Sequence, residues 1–103
     1  MKFFEDFRGQ RIRLTEERLK HILGHPEMTE IAHNIGRTLL RPEKVVQSLS
    51  DSEAQLYYRF YLGTRVGDKY LCVVVKVKEG DAFVLTAYLT DSIKKGEILW
   101  PKK

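Results

Sequence analysis

The chain has 103 residues, 43% of them hydrophobic, with 18 Lys and Arg against 14 Asp and Glu for a net charge of +4. That length fits one domain, residues 1–103, able to fold without metals or disulfides, and the composition excludes a disordered chain. A single cysteine, Cys72, excludes an internal disulfide and a cysteine-based zinc cage, and no apolar run is long enough to span a membrane.

The start, Met1-Lys2-Phe3-Phe4-Glu5-Asp6, turns acidic after two aromatics, unlike a signal peptide. The expected compartment is a reducing cytoplasm. Residues 2–14 read as a short hairpin turning at Gly9-Gln10, with Arg11-Ile12-Arg13-Leu14 alternating. Thr15 is a helix N-cap candidate, followed by Glu16 and Glu17 in the first turn, where the helix dipole favours acids. Leu19, Ile22 and Leu23 form the apolar stripe, and Gly24 and Pro26 end this helix. A second helix is predicted over about residues 27–40. There Met28, Ile31, Ala32, Ile35 and Leu39 fall on one face, and Pro42 is the stop.

Val45-Val46 begins a short strand candidate, and Ser48 to Glu53 is polar and turn-like. The hydrophobic period then changes to two. Residues 55–62, 69–78 and 82–90 are rich in β-branched and aromatic residues, joined by turns at 63–68 and 79–81. They predict an antiparallel meander. Residues 96–101 predict a final edge strand ended by Pro101. The expected fold is therefore α+β: two N-terminal helices packed on one face of a roughly four-stranded antiparallel sheet.

Alternation assigns a core face to Leu56, Tyr58, Phe60 and Leu62, to Leu71, Val73, Val75 and Val77, and to Phe83, Leu85, Ala87 and Leu89. The opposite face then carries Tyr57, Arg59 and Tyr61, then Tyr70, Cys72, Val74, Lys76 and Lys78, then Val84, Thr86, Tyr88 and Thr90. It holds no acid. Guanidinium and ammonium groups bind phosphate, and aromatic rings stack on unpaired bases, so the set suits single-stranded nucleic acid. Tyr and Thr are also ordinary strand formers, and Lys and Arg also guard sheets against aggregation.

His21 and His25 stand four apart on the first helix, with Arg18 on the same flank. A histidine pair can act as base and acid in RNA cleavage, with Arg59 and Lys76 meeting the phosphate. A histidine at a helix C-terminus also compensates the dipole. Metal binding is not expected: His-Ile-Leu-Gly-His is no HExxH pattern and has no obvious third ligand. His33 reads as exposed and Cys72 as a small buried hydrophobe.

Three segments carry a resemblance that covers about Ile12 to Trp100. They are Arg13-Leu14-Thr15-Glu16-Glu17-Arg18 leading to His21-Ile22-x-x-His25-Pro26-Glu27; Tyr57-Tyr58-Arg59; and Val73-Val74-Val75-Lys76 with Leu85-Thr86-Ala87-Tyr88 and Trp100. Together they resemble the phage-type branch of the barnase–EndoU–colicin–RelE superfamily of ribonucleases. The resemblance implies helices on one face of a four-stranded antiparallel sheet and metal-independent RNA cleavage on the other, with no cofactor. The family's motif positions fall on His21, His25, Arg59, Thr86 and Tyr88. Many members are toxins or domains of phage proteins, which implies an antitoxin or a fused phage protein as partner beside RNA. The resulting expectation is a metal-independent endoribonuclease of toxin type. Its catalytic residues would be His25, Arg59, Thr86, Tyr88 and His21, with Lys76, Tyr57, Tyr61 and Arg18 binding substrate. The alternative is a non-catalytic RNA-binding or protein-interaction module.

Overall fold

The computed structural model describes residues 1–102. Strands β1 (Lys2–Glu5) and β2 (Arg11–Leu14) form the expected N-terminal hairpin, paired antiparallel with Phe3 opposite Arg13. Helix α1 (Glu16–Leu23) follows, capped by the Thr15 hydroxyl, which accepts from the Arg18 amide at 3.2 Å. Helix α2 (Ile35–Leu40) leads to β3 (Lys44–Gln47). The meander is β4 (Ala54–Thr64), β5 (Gly67–Lys78) and β6 (Asp81–Thr90), and β7 (Ile98–Trp100) closes the chain.

The expected four-stranded antiparallel sheet of barnase/RelE type is overturned. The sheet has seven strands, ordered β1-β2-β6-β5-β4-β3-β7, and it is mixed, because β2 runs parallel to β6. The N-terminal hairpin adds two strands on one side of the meander, while β3 and β7 add two on the other. The helices are not N-terminal either, since the hairpin precedes them.

The single helix expected over 27–40 is also corrected. Two 3₁₀ turns, Pro26–Met28 and Ala32–Asn34, precede the short α2. Backbone bonds there run from i+3 to i, as in Met28 N to His25 O at 2.9 Å and Asn34 N to Ile31 O at 2.8 Å. The Thr29 hydroxyl donates to the Pro26 carbonyl at 2.9 Å, competing with regular helical bonding. The apolar stripe survives the change of geometry: Met28, Ile31, Ile35 and Leu39 are all buried.

The sheet carries an apolar layer on each face. On the helix side Ile12, Val45, Tyr57, Leu71, Val73, Val75, Val84 and Ala87 of the strands pack with Ile22, Met28, Ile35 and Leu39 of the helical segments. The other face holds Val46, Ala54, Leu56, Tyr58, Cys72 and Val74, with Tyr70, Leu85, Tyr88 and Ile93 packed against them. The faces of β5 are as predicted and those of β4 are reversed. Tyr57 pairs with Val73 and Arg59 with Leu71, so Tyr57, Arg59 and Tyr61 share the helix face and Leu56, Tyr58 and Phe60 the open one. Gln-Leu-Tyr-Tyr-Arg-Phe-Tyr-Leu carries large aromatic residues at both parities, so alternation alone cannot orient it. In β6 the parity changes partway. Val74 pairs with Thr86 but Val75 with Val84, leaving Leu85 as a bulge. Val84 therefore joins the helix-side core, whereas Leu85 packs on the open side.

Among the described residues, no helix is long and apolar enough to cross a membrane.

Candidate nucleic-acid interface

The open face is built in cross-strand rows. Phe60, Tyr70 and Thr90 form one; Tyr58, Cys72 and Tyr88 the next; Leu56, Val74 and Thr86 a third. The loop after β6 folds back over the middle row. Its Lys94 amide donates to the Tyr58 hydroxyl at 3.1 Å, and the Lys94 ammonium sits 6.0 Å from the centre of the Tyr88 ring. Gly96 permits this path, because a Cβ there would overlap the Gln47 carbonyl oxygen.

Burial raises the pKa of three side chains in that row: it pushes the Tyr58 phenol up to about 12, the Tyr88 phenol higher still, and the Cys72 thiol above its usual value. Hydrogen bonding with Tyr88 and Tyr58 partly offsets the effect on Cys72. At neutral pH, Tyr88 is therefore a proton donor and Cys72 an inert thiol.

Beside this row lies a concavity lined by Thr86, Tyr88, Ser48, Ser50, Asp51 and Lys94 above an apolar floor of Ala54, Leu56 and Val74. An adjoining hollow is lined by Lys44, Lys94 and Lys95. Among the described residues, none of these three lysines lies within ion-pair distance of a carboxylate. Lys76 is different: its ammonium is 3.0 Å from Asp51 and 3.8 Å from Glu53. A hydrogen bond from the Glu53 amide, then Lys76, holds the Asp51 carboxyl below its usual pKa.

Of the residues chosen from sequence, Thr86 and Tyr88 meet in the concavity, and Lys76 joins its rim through Asp51. The others lie elsewhere. Tyr57 is buried under the helices, its hydroxyl donating to Asp6 at 2.6 Å. Tyr61 meets the Thr38 hydroxyl at 3.0 Å beneath α2. Arg59 donates to the Arg41 carbonyl at 2.8 Å, at the C-terminal end of α2. His21 and His25 are exposed at the end of α1, their rings edge to face at 6.0 Å. Glu27 lies 3.7 Å from His25 Nδ1, and Arg65 donates to the Pro26 carbonyl at 3.2 Å. Arg18 is half-buried on the same helix. The histidines and Arg59 thus belong to the helix side, and Thr86 and Tyr88 to the open side.

Sequence reasoning passed over Ser48, Ser50, Lys44, Lys94 and Lys95. The lysine doublet before Gly96 was the available signal, since it marks a basic loop lying close to a strand. The described residues contain no group of three His, Cys, Asp or Glu placed to hold a metal ion. No protein family, curated protein or solved structure matches the chain.

Proposed function

We propose that the chain binds single-stranded RNA across the open face, with a backbone phosphate in the concavity at Thr86 and Tyr88. One observation carries this reading: Thr86, Tyr88, Ser48, Ser50 and Lys94 line one hollow, whose single carboxylate, Asp51, is already paired with Lys76 at 3.0 Å. Hydroxyl donors and a lysine point charge are a phosphate-binding set, and Lys44 and Lys95 extend the positive surface. The net charge of +4 agrees in sign. A labelled RNA oligonucleotide should bind with affinity falling as salt rises, by a log–log slope of about 0.7 per phosphate engaged. Lys94→Ala should weaken binding and reduce that slope by about 0.7. An unmoved affinity in Lys94→Ala would take the phosphate out of this hollow.

Cleavage is the second reading, favoured by the His21–His25 pair and by the resemblance of its motif to the phage-type ribonucleases. Two imidazoles can supply base and acid for transesterification without a metal. A toxin of this kind would be silenced by an acidic antitoxin covering the lysines. The expected products bear 2′,3′-cyclic phosphate ends, resist EDTA, and vanish in the His21→Ala, His25→Ala double variant. Intact RNA bound by folded protein would leave binding alone.

A further inference from the structure

We propose that Phe60 and Tyr70 form a stacking platform for an unpaired nucleobase next to the phosphate hollow. The inference rests on the RNA-binding reading and names which part of the strand is gripped. Phe60 is 40% exposed despite its size, and the neighbouring Leu62 and Val66 are 77% and 49% exposed. Such surface at the end of a long hairpin calls for an occupant.

The geometry holds one ring open. Phe60 and Tyr70 are cross-strand partners whose ring centres lie 5.0 Å apart at 69°, so Tyr70 braces Phe60 edge to face. Tyr70 is braced in turn by Tyr58, at 6.3 Å and 88°. The Phe60 amide donates to Glu43 at 2.8 Å, which fixes the strand beneath the ring. A ring held this way loses little freedom when a base stacks on it.

Continuity favours RNA over a protein partner. The Phe60–Tyr70–Thr90, Tyr58–Cys72–Tyr88 and Leu56–Val74–Thr86 rows carry no charged side chain, and the cations lie further along the same face, where Lys44, Lys94 and Lys95 line the hollows. Successive rows on one face are about 7 Å apart along the strands. The platform therefore lies about 7 Å from the Tyr88 row and about 14 Å from the Thr86 row, close enough for one short oligonucleotide to fill both sites.

The test compares two probes of equal length and charge, a uridine oligoribonucleotide and its abasic counterpart, on wild type, Phe60→Ala, Phe60→Trp and Lys94→Ala. Phe60→Ala should weaken uridine binding about 5- to 150-fold and leave abasic binding unchanged. Phe60→Trp should retain it, which also controls for folding. Lys94→Ala should weaken both probes alike. Equal binding of uridine oligomer by wild type and a folded Phe60→Ala overturns the platform while leaving the phosphate hollow standing. So does conversion of a wild-type dimer to monomer by Phe60→Ala with RNA affinity unmoved, since the patch is then a self-association surface. Absence of any RNA binding by wild type defeats the underlying reading, and the platform with it.

Discussion

Asp6 is the residue on which the N-terminal hairpin turns. Its side chain is fully buried, yet every oxygen is used. One oxygen accepts from the Arg8 amide at 2.9 Å and the Gln10 amide at 2.8 Å. The other accepts from the Tyr57 hydroxyl at 2.6 Å, and Arg8 closes the set by donating to Tyr57 at 3.1 Å and Gln55 at 2.7 Å. A carboxylate is stable there because donors replace the lost water. The network ties the turn between β1 and β2 to the far strand β4. Asp6→Ala would leave two amides and a phenol without an acceptor, so a loss of about 2–4 kcal/mol is expected. Tyr57→Phe removes one donor but keeps the ring and should cost less than half of that. Urea unfolding midpoints of the two variants measure the difference, and equal midpoints would show that the carboxylate does not anchor the turn. None of this was visible in the sequence. Asp6 sits in the short loop before β2, and its partner Tyr57 lies 51 positions away.

At the scale of elements, legibility followed locality. The N-terminal hairpin, the capped α1 and the meander were readable because their signals lie within a few residues: Gly9 at φ +82, Thr15 before two acids, short turns between β-branched runs. The broken helix was not, because an apolar 3.6-residue period also fits 3₁₀ turns laid on a sheet. The orientation of β4 was not, because Leu56, Tyr57, Tyr58 and Phe60 put large side chains at both parities. That error moved Tyr57, Arg59 and Tyr61 to the wrong face and hid Phe60. The edge pairing of β3 with β7 depends on Gly96, where backbone meets backbone. The Gln47 amide donates to the Glu97 carbonyl at 2.8 Å across this contact. Gly96→Ala places a methyl group against the Gln47 carbonyl and the Val46 side chain. Overpacking of this sort costs about 1–3 kcal/mol, and here it should be confined to the edge. The expected signature is faster hydrogen exchange at the Gln47 amide with the β5 amides unchanged. Loss of Lys94 and Lys95 from the hollow should weaken RNA binding in the same variant. Unchanged exchange at Gln47 would mean that the edge relaxes around the methyl group.

Over the whole molecule, apolar material on both faces of one sheet accounts for what titrates and what does not. Three of the five tyrosines carry phenols raised by burial: Tyr57 under the helices, Tyr58 and Tyr88 on the open side. For Tyr57 the hydrogen bond to Asp6 adds to the burial effect, since a phenolate facing a carboxylate is doubly disfavoured. A phenol is neutral below its pKa, and all three have folded values above the ordinary 10.0. The unfolded chain thus releases these protons first. Their contribution to stability is complete below pH 10 and is lost as pH rises through the folded values. Both apolar layers depend on neutral phenols, so the sheet should open from both faces together rather than shed one layer. A titration following phenolate absorbance beside far-ultraviolet circular dichroism tests this. The late-ionising phenols should appear in one step coincident with loss of sheet signal. In Tyr57→Phe that step should shrink, because one buried phenol is gone. Ionisation of all the tyrosines with the sheet signal intact would mean that the open-side phenols reach solvent, and that Tyr88 is no fixed donor in the phosphate hollow.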